Sequence, residues 1–305
     1  MIHLDFNSPE EEIHYPLFLE KNIQVYLKRD DLIHPFISGN KWRKLKYPLL
    51  KAQSEQKTHL VTFGGVWSNH LLATACAAAK FGFHSTAFVR GEDINTDVIA
   101  LCKLWGMTLV FVDRESYRDK QKLFNLYFEN DDNAFFIDEG GAGPEAARGC
   151  SEMVEELQGN YQHIFCAGGT GTTAAGIING LSRSNSSALL HAISVLKGDF
   201  LQKDIDKLLI EPITYEFHSE YHFGGYAKTQ PVLMDFISDF ASTTSILLDP
   251  VYTGKMMFAV FDLAQNNYFK PGSRILAIHT GGLFGLLGML RIKYDPRNFQ
   301  PVFPV

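Results

Sequence analysis

The sequence predicts an α/β protein with open, doubly wound, mainly parallel sheets. Strand-like and helix-like segments alternate along most of its 305 residues. The strand-like segments are short, continuous apolar runs, the pattern of parallel strands covered by helices on both faces. Several of them end in glycine-rich turns, where such sheets pass from strand to helix.

The elements follow in order. Gln24–Lys28 is a short strand, and Lys41–Gln53 a helix entered from the loop Ser38-Gly39-Asn40. His59–Phe63 is a strand followed by the alanine-rich helix Asn69–Phe81, for which Ser68 or Asn69 supplies the N-cap. Ser85–Val89 and Thr108–Val112 are strands flanking a helix around Thr96–Trp105, and Ala134–Ile137 is a further short strand. Pro144 opens a helix to about Leu157, at the first helical position where proline is tolerated. Tyr161–Ala167 is an apolar strand, Thr172–Ser182 a helix and Leu189–Val195 a strand. Arg274–Ile278 and Leu283–Arg291 close the pattern as a strand and a helix. No internal repeat or low-complexity tract is present, and the cluster Gly140–Pro144 is the best candidate for a crossing between domains.

A chain of this length with 46% hydrophobic residues can bury a large core, and two domains are expected. The net charge of -6 argues against nucleic acid as a partner, because binding a phosphate backbone leaves a basic footprint. Cys76, Cys102, Cys150 and Cys166 form no CxxC pair and sit among apolar or small residues, so buried reduced thiols are expected and no metal site. No N-terminal run has the makings of a signal peptide, and the apolar stretch Leu71–Ala79 is too short to span a bilayer. A cytoplasmic protein with no membrane partner is the expectation.

Three turns have the makings of an anion site. The strand Tyr161–Ala167 runs into Gly168-Gly169-Thr170-Gly171-Thr172-Thr173 and then a helix. Glycines let successive N–H groups face one concavity, the helix N-terminus adds about half a positive charge, and threonine hydroxyls add donors. The bland alternative is a tight turn with no ligand. Gly169-x-Gly171-x-x-Ala174 also matches the dinucleotide fingerprint, but the acidic residue expected at the end of the next strand is absent and Asp199 comes late. A dinucleotide-dependent oxidoreductase thus rests on that string alone. Gly64-Gly65-Val66-Trp67-Ser68-Asn69-His70 and His279-Thr280-Gly281-Gly282 are the other two turns. Together the three suggest one site at the carboxyl ends of the strands.

Lys41 stands where a loop becomes a helix. Most lysines on helices are solvated surface groups, but burial and a locally positive helix start both disfavour an ammonium ion. A lysine so placed can be neutral enough to attack an aldehyde.

The ordered motifs Gly39-Asn40-Lys41-x-Arg43-Lys44-Leu45, Gly65-x-x-Ser68-Asn69-His70, the loop Gly168–Thr173, Asp249-Pro250-Val251-Tyr252-Thr253-Gly254-Lys255 and His279-Thr280-Gly281-Gly282 resemble the D-cysteine desulfhydrase / 1-aminocyclopropane-1-carboxylate (ACC) deaminase family. The resemblance runs from about Tyr26 to Leu287. It implies pyridoxal 5'-phosphate as cofactor, the tryptophan-synthase-β fold (fold type II), a small amino-acid substrate and a homodimer. It also implies a large domain from residues 1–43 and 151–305, with a small domain, 44–150, inserted between. By the resemblance, Lys41 is the Schiff-base lysine that also moves the substrate α-proton. Lys44, Asn69, Gly168, Gly169, Thr170, Gly171 and Thr172 hold the phosphate. Ser68 lies near the substrate carboxylate, with Trp67, Asn69 and His70 beside it, and Tyr226 and Tyr252 are active-site tyrosines whose bland role is packing.

Thr253 and Thr280 stand where the deaminases carry Glu and Leu, and both follow the desulfhydrase pattern. A hydroxyl facing the pyridine nitrogen supplies no negative charge, so the electron sink is weaker. Eliminating a thiol asks less of it than opening a cyclopropane. The expectation is α,β-elimination to pyruvate, ammonia and sulfide, with ACC deamination as the alternative. Trp67 departs from the Gln or Tyr usual in relatives, and a bulky indole there is expected to narrow the substrate pocket or change its choice.

Overall fold

A computed structural model describes residues 2–286. In chain order its elements begin with β1 (Glu10–Glu12), α1 (Pro16–Glu20), β2 (Gln24–Lys28), α2 (Asn40–Ser54), β3 (His59–Gly65) and α3 (Asn69–Phe81). They continue with β4 (His84–Arg90), α4 (Asp97–Leu104), β5 (Thr108–Val112), α5 (Lys120–Phe128), β6 (Ala134–Phe136) and α6 (Pro144–Glu155). Last come β7 (His163–Gly168), α7 (Thr172–Arg183), β8 (Leu189–Ser194), α8 (Phe200–Asp206), β9 (Glu216–His218), α9 (Pro231–Thr244), α10 (Thr253–Gln265) and β10 (Arg274–Ile278).

The expected elements stand within two residues of their predicted bounds, save that the helix predicted over Leu283–Arg291 extends outside the described residues. The structure adds β1, α1, α5, α8, β9, α9 and α10. β1 and β9 are three residues long and exist by pairing with a neighbour. α10 is buried on several faces, from Met256 and Met257 to Val260 and Ala264, which blurs a one-sided apolar stripe.

Two sheets result. One has the order β1-β2-β10-β7-β8-β9 and the other β5-β4-β3-β6. Every pairing is parallel except β1 with β2. In the larger sheet the chain moves outward from β7 through β8 to β9, while β10 and β2 lie on the other side of β7. In the smaller sheet it moves from β3 through β4 to β5, with β6 on the other side of β3. Each sheet therefore has a point where strand order reverses and the loops at the carboxyl ends part to leave a crevice.

The helices between the sheets approach closely through glycine. A Cβ on Gly149 of α6 would lie 1.9 Å from the carbonyl oxygen of Arg43 in α2, and one on Gly176 of α7 would lie 2.5 Å from that of Ala147. On the same stretch of α2, Arg43 is buried and forks onto Asp30, with Nε to Oδ2 at 2.6 Å and a terminal nitrogen to Oδ1 at 2.7 Å. Its terminal nitrogens also reach both carboxylate oxygens of Glu156 at 2.8 Å. Burial works against this charge, yet the two carboxylates raise the pKa above the ordinary arginine value. All four cysteines are buried free thiols, as expected. Among the described residues no helix is long and apolar enough to cross a membrane.

Because the α2–α6 contact leaves no room for a methyl group, Gly149→Ala is expected to destabilise the fold by about 1–3 kcal/mol. Urea unfolding checks this, and an unchanged midpoint would contradict the close approach.

Candidate active site

The site starts at the first turn of α2. Gly39 precedes it with φ +60°, and a Cβ there would lie 1.8 Å from the carbonyl oxygen of Thr280, so only glycine fits. That contact, with Asn40 N donating to the same carbonyl (3.3 Å), seats the helix start against the loop after β10. Lys41 and Lys44 follow, three residues apart on one side of the helix. Lys44 is buried and its Nζ donates to the Gly140 carbonyl (3.1 Å) and to Thr170 Oγ1 (3.2 Å). Lys41 is half-buried, and its Nζ makes no hydrogen bond among the described residues. Burial and then the Lys44 charge push the Lys41 amine down to about 7, partly offset by Cys150 and Asp249. Burial also lowers Lys44.

Both lysines face one shared cavity. Its wall takes Asn40, Lys41 and Lys44 from α2, and Ala167, Thr173 and the loop 168–171 from the β7–α7 turn. Tyr252 comes from the turn into α10, and Thr280, Gly281 and Gly282 from the loop after β10. Asn69 at the start of α3 and Gly140 after β6 complete it. The carboxyl ends of β7 and β10 are the crevice of the larger sheet, and those of β3 and β6 the crevice of the smaller one. The cavity lies where the two meet.

Of the residues singled out in the sequence, Lys41, Lys44, Asn69, Gly168, Gly169, Thr170, Gly171, Tyr252 and Thr280 line this cavity. Thr172 is fully buried at the start of α7, off the wall. Ser68 caps α3, accepting from Leu71 N at 3.3 Å. His70 is buried behind the wall with Nε2 2.8 Å from Thr62 Oγ1, and burial with the two lysine charges holds it well below the ordinary histidine range. Trp67 is 41% exposed and off the wall. Tyr226 is 52% exposed at the rim, its hydroxyl 3.5 Å from that of Tyr252.

Thr253 is fully buried off the wall. Its hydroxyl donates to Asp249 Oδ1 and accepts from Asp249 N, both at 2.8 Å. It is tied to Asp249 at the start of α10 and does not line the cavity, so of the two threonines read as facing the ring, Thr280 alone lines the wall. Thr173, the last residue of the glycine–threonine turn, also lines the wall, as do Asn40 and Gly140, to which the sequence assigns no role. Asn40 Nδ2 donates to Thr173 Oγ1 at 3.0 Å, which ties α2 to α7. The glycine pair after β6 was the signal for Gly140.

The donor set is that of a site for an anion carrying a carbonyl. Two lysines converge on a wall that has hydroxyls and amides but, among the described residues, no carboxylate. The loop 168–171 leads into the N-terminus of α7, whose first turn has N–H groups without intrahelical partners. Asn69 Oδ1 is buried with no partner while Nδ2 donates to Gly282 O at 3.4 Å. Pyridoxal phosphate fits these residues: Lys44, Thr170 and the glycine loop would hold its phosphate, Lys41 would meet its aldehyde and Asn69 has a free acceptor. A dinucleotide fits less well, since β8 ends at Ser194 with no carboxylate.

The profile of the family described as pyridoxal-phosphate dependent enzyme matches residues 13–281. A Pyrococcus horikoshii protein provisionally named a 1-aminocyclopropane-1-carboxylate deaminase is 32% identical, over 87% of this chain and 86% of its own. A mitochondrial Arabidopsis thaliana protein named bifunctional D-cysteine desulfhydrase/1-aminocyclopropane-1-carboxylate deaminase is 29% identical, over 88% of this chain and 74% of its own. The crystal structure of an ACC deaminase homologue superposes with a TM-score of 0.85 at 30% identity, covering 95% of this chain and 94% of that one.

An amine held near 7 is expected to react ahead of the surface lysines. At low dose, a lysine-directed acylating reagent should label Lys41 first, at a rate that levels off above pH of about 7. A rate still rising towards the ordinary value of 10.5 would contradict the assigned environment.

Proposed function

The chain belongs to the pyridoxal-phosphate dependent enzyme family, and from that premise we propose that it catalyses α,β-elimination on a small amino acid, D-cysteine above others, releasing pyruvate, ammonia and sulfide. The observation that carries the reading is the amine of Lys41, near 7, facing the same cavity as the anion cradle. The cofactor, when bound, supplies an aldehyde for the amines and a ring that accepts electron density from the substrate α-carbon.

The chain's own residues supply the rest. Lys44 Nζ, the Thr170 hydroxyl and the N–H groups of the 168–171 loop would hold the phosphate. Lys41 Nζ, neutral in a large fraction of molecules at neutral pH, takes the α-proton. Asn69 and Ser68, at the start of α3, orient the substrate carboxylate, with Trp67 and His70 shaping that side. Tyr252 keeps its proton, because burial and then the neighbouring Tyr226 hydroxyl raise its pKa well above the ordinary value. It is therefore a donor for the departing sulfur, with Tyr226 at the mouth of the site.

Thr280 favours elimination over ring opening. With the cofactor bound, its hydroxyl, on a wall without a carboxylate, would be the group offered to the ring nitrogen, so the ring would draw electrons less strongly, and a thiol leaves more readily than a cyclopropane carbon. ACC deamination is the second reading, favoured by the names of the relatives. We extend the proposal to a large unit of residues 1–43 and 151–305 with 44–150 inserted. The strand residues support the division, since those of the smaller sheet all fall between 59 and 136. A homodimer and a cytoplasmic location complete it on the strength of the resemblance.

Pyruvate and sulfide release, measured across D-cysteine, D-serine, L-cysteine, β-chloro-D-alanine and ACC, tests the reading. D-cysteine is expected to give both products. Lys41→Ala should lose covalent cofactor attachment and at least about 10²-fold in turnover. Steady ACC turnover with no sulfide from D-cysteine would put the deaminase in its place.

A further inference from the structure

A row of histidines crosses three neighbouring strands of the larger sheet: His163 opens β7, His191 lies in β8 and His218 ends β9. Their rings lie on the face whose apolar residues form one core with α9 and α10, and Phe165, two residues along β7, stacks on His191 with ring centroids 4.2 Å apart. Glu216 pairs with His191 across the β8–β9 ladder and lies two residues from His218, so it points to the same face. The cavity described above takes the carboxyl end of β7, whereas this row begins at its amino end. The proposed elimination reaction uses none of these groups.

We propose that His191 Nδ1, His218 Nε2 and Glu216 Oε2 form a binding site for a divalent transition-metal ion of the zinc type. The two ring nitrogens are 3.1 Å apart, and the carboxylate oxygen lies 3.9 Å from the first and 3.7 Å from the second. The point equidistant from three atoms so separated is about 2.1 Å from each, within the usual ranges of about 2.0–2.1 Å for zinc–nitrogen and 2.0–2.2 Å for zinc–carboxylate bonds. That point lies in the plane of the three atoms, so small shifts of the side chains would bring them to the tetrahedral arrangement zinc prefers.

The remaining nitrogens are also engaged. His191 Nε2 is 2.9 Å from His163 Nδ1, and His218 Nδ1 is 3.3 Å from Glu220 Oε1. Histidines that ligate a metal commonly give their other N–H to such a partner, which fixes the tautomer with a lone pair on the metal. Here that requires Nε2–H on His191 and Nδ1–H on His218, so beyond those small movements the change from a metal-free row of hydrogen-bonded rings is a shift of protons. His191 is fully buried, while the Glu216 side chain is 40% exposed, so a fourth position for water opens on its side. Two imidazoles and one carboxylate suit zinc, cobalt and nickel better than magnesium or calcium, which prefer oxygen throughout.

Such an ion would fasten β9, a three-residue edge strand, to the sheet interior. The chain leads directly from β9 to the segment carrying Tyr226. Lys255 holds that segment from below, donating to the carbonyls of His222 (2.8 Å) and Gly225 (2.9 Å). The ion's expected effect is therefore on the stability of this edge.

The test uses the untagged, cofactor-loaded protein, stripped with a chelator and then given Co²⁺ or Zn²⁺. Co²⁺ should produce the visible ligand-field bands of a low-coordinate nitrogen–oxygen site. Zn²⁺ should remain at one ion per chain through gel filtration and raise the melting temperature. Glu216→Gln and His218→Gln should weaken the ion, read by competition with a chromophoric chelator, by at least the about 10–100-fold that loss of an outer partner alone costs. Both variants should also lose the thermal shift. Absence of the cobalt bands in the wild-type protein would overturn the site whether or not a variant folds, as would variants that bind like the wild type. In either case the row is a set of hydrogen-bonded histidines.

Discussion

Two amines on one helical turn, facing a wall without a carboxylate, are the constraint on which the site depends. Like charges this close repel, and water that would screen them is largely displaced. The strain is relieved in two ways. Lys41 gives up its proton readily, as the proposed nucleophile and base must, and Lys44 turns to a carbonyl and a hydroxyl. Carboxylates such as those of Asp30 and Glu156, if placed on this wall, would hold both lysines protonated and remove the reactivity. Instead they meet Arg43, between the two lysines in sequence, and anchor the turn from its other side.

The fold sets this turn where both sheets open. A reversal of strand order in one sheet makes a crevice, and two sheets with their carboxyl ends facing make a pocket lined by loops that can each vary. The glycine loop comes from one sheet, Asn69 and Gly140 from the other, and α2 passes between them. Lys44 touches both sides at once, through Thr170 and Gly140. That bridge explains why the cradle and the reactive amine stay in register across a distance that no single loop spans.

Much of this could be read from the sequence. Buried parallel strands appear as unbroken apolar runs, and the strand-to-helix turns are marked by glycine, so the order of elements and the residues of the cradle were visible. What was hidden depends on partners distant in sequence. β1 and β9 are strands because a neighbour completes them. Thr253 sits in a motif beside Tyr252, but its hydroxyl belongs to Asp249, whose carboxylate also receives the N–H groups of residues 251–253. An aspartate four residues before a helix threonine is a capping pattern that one-dimensional matching to an active-site string overrode. The expectation of no metal site came from cysteine spacing. It could not register His191, Glu216 and His218, which the β8–β9 ladder brings together.

The central claim is that Lys44 and the threonine–glycine loop grip a phosphate while Lys41, one turn away, is left to react. It is tested most directly by comparing the dissociation constants of pyridoxal phosphate and pyridoxal, which lacks the phosphate, in the wild-type protein and in Lys44→Met. The account predicts a strong preference for the phosphorylated form that narrows sharply in the variant, with Lys41 still the residue modified. An equal loss of affinity for both forms would show that Lys44 only supports the fold, and would contradict it.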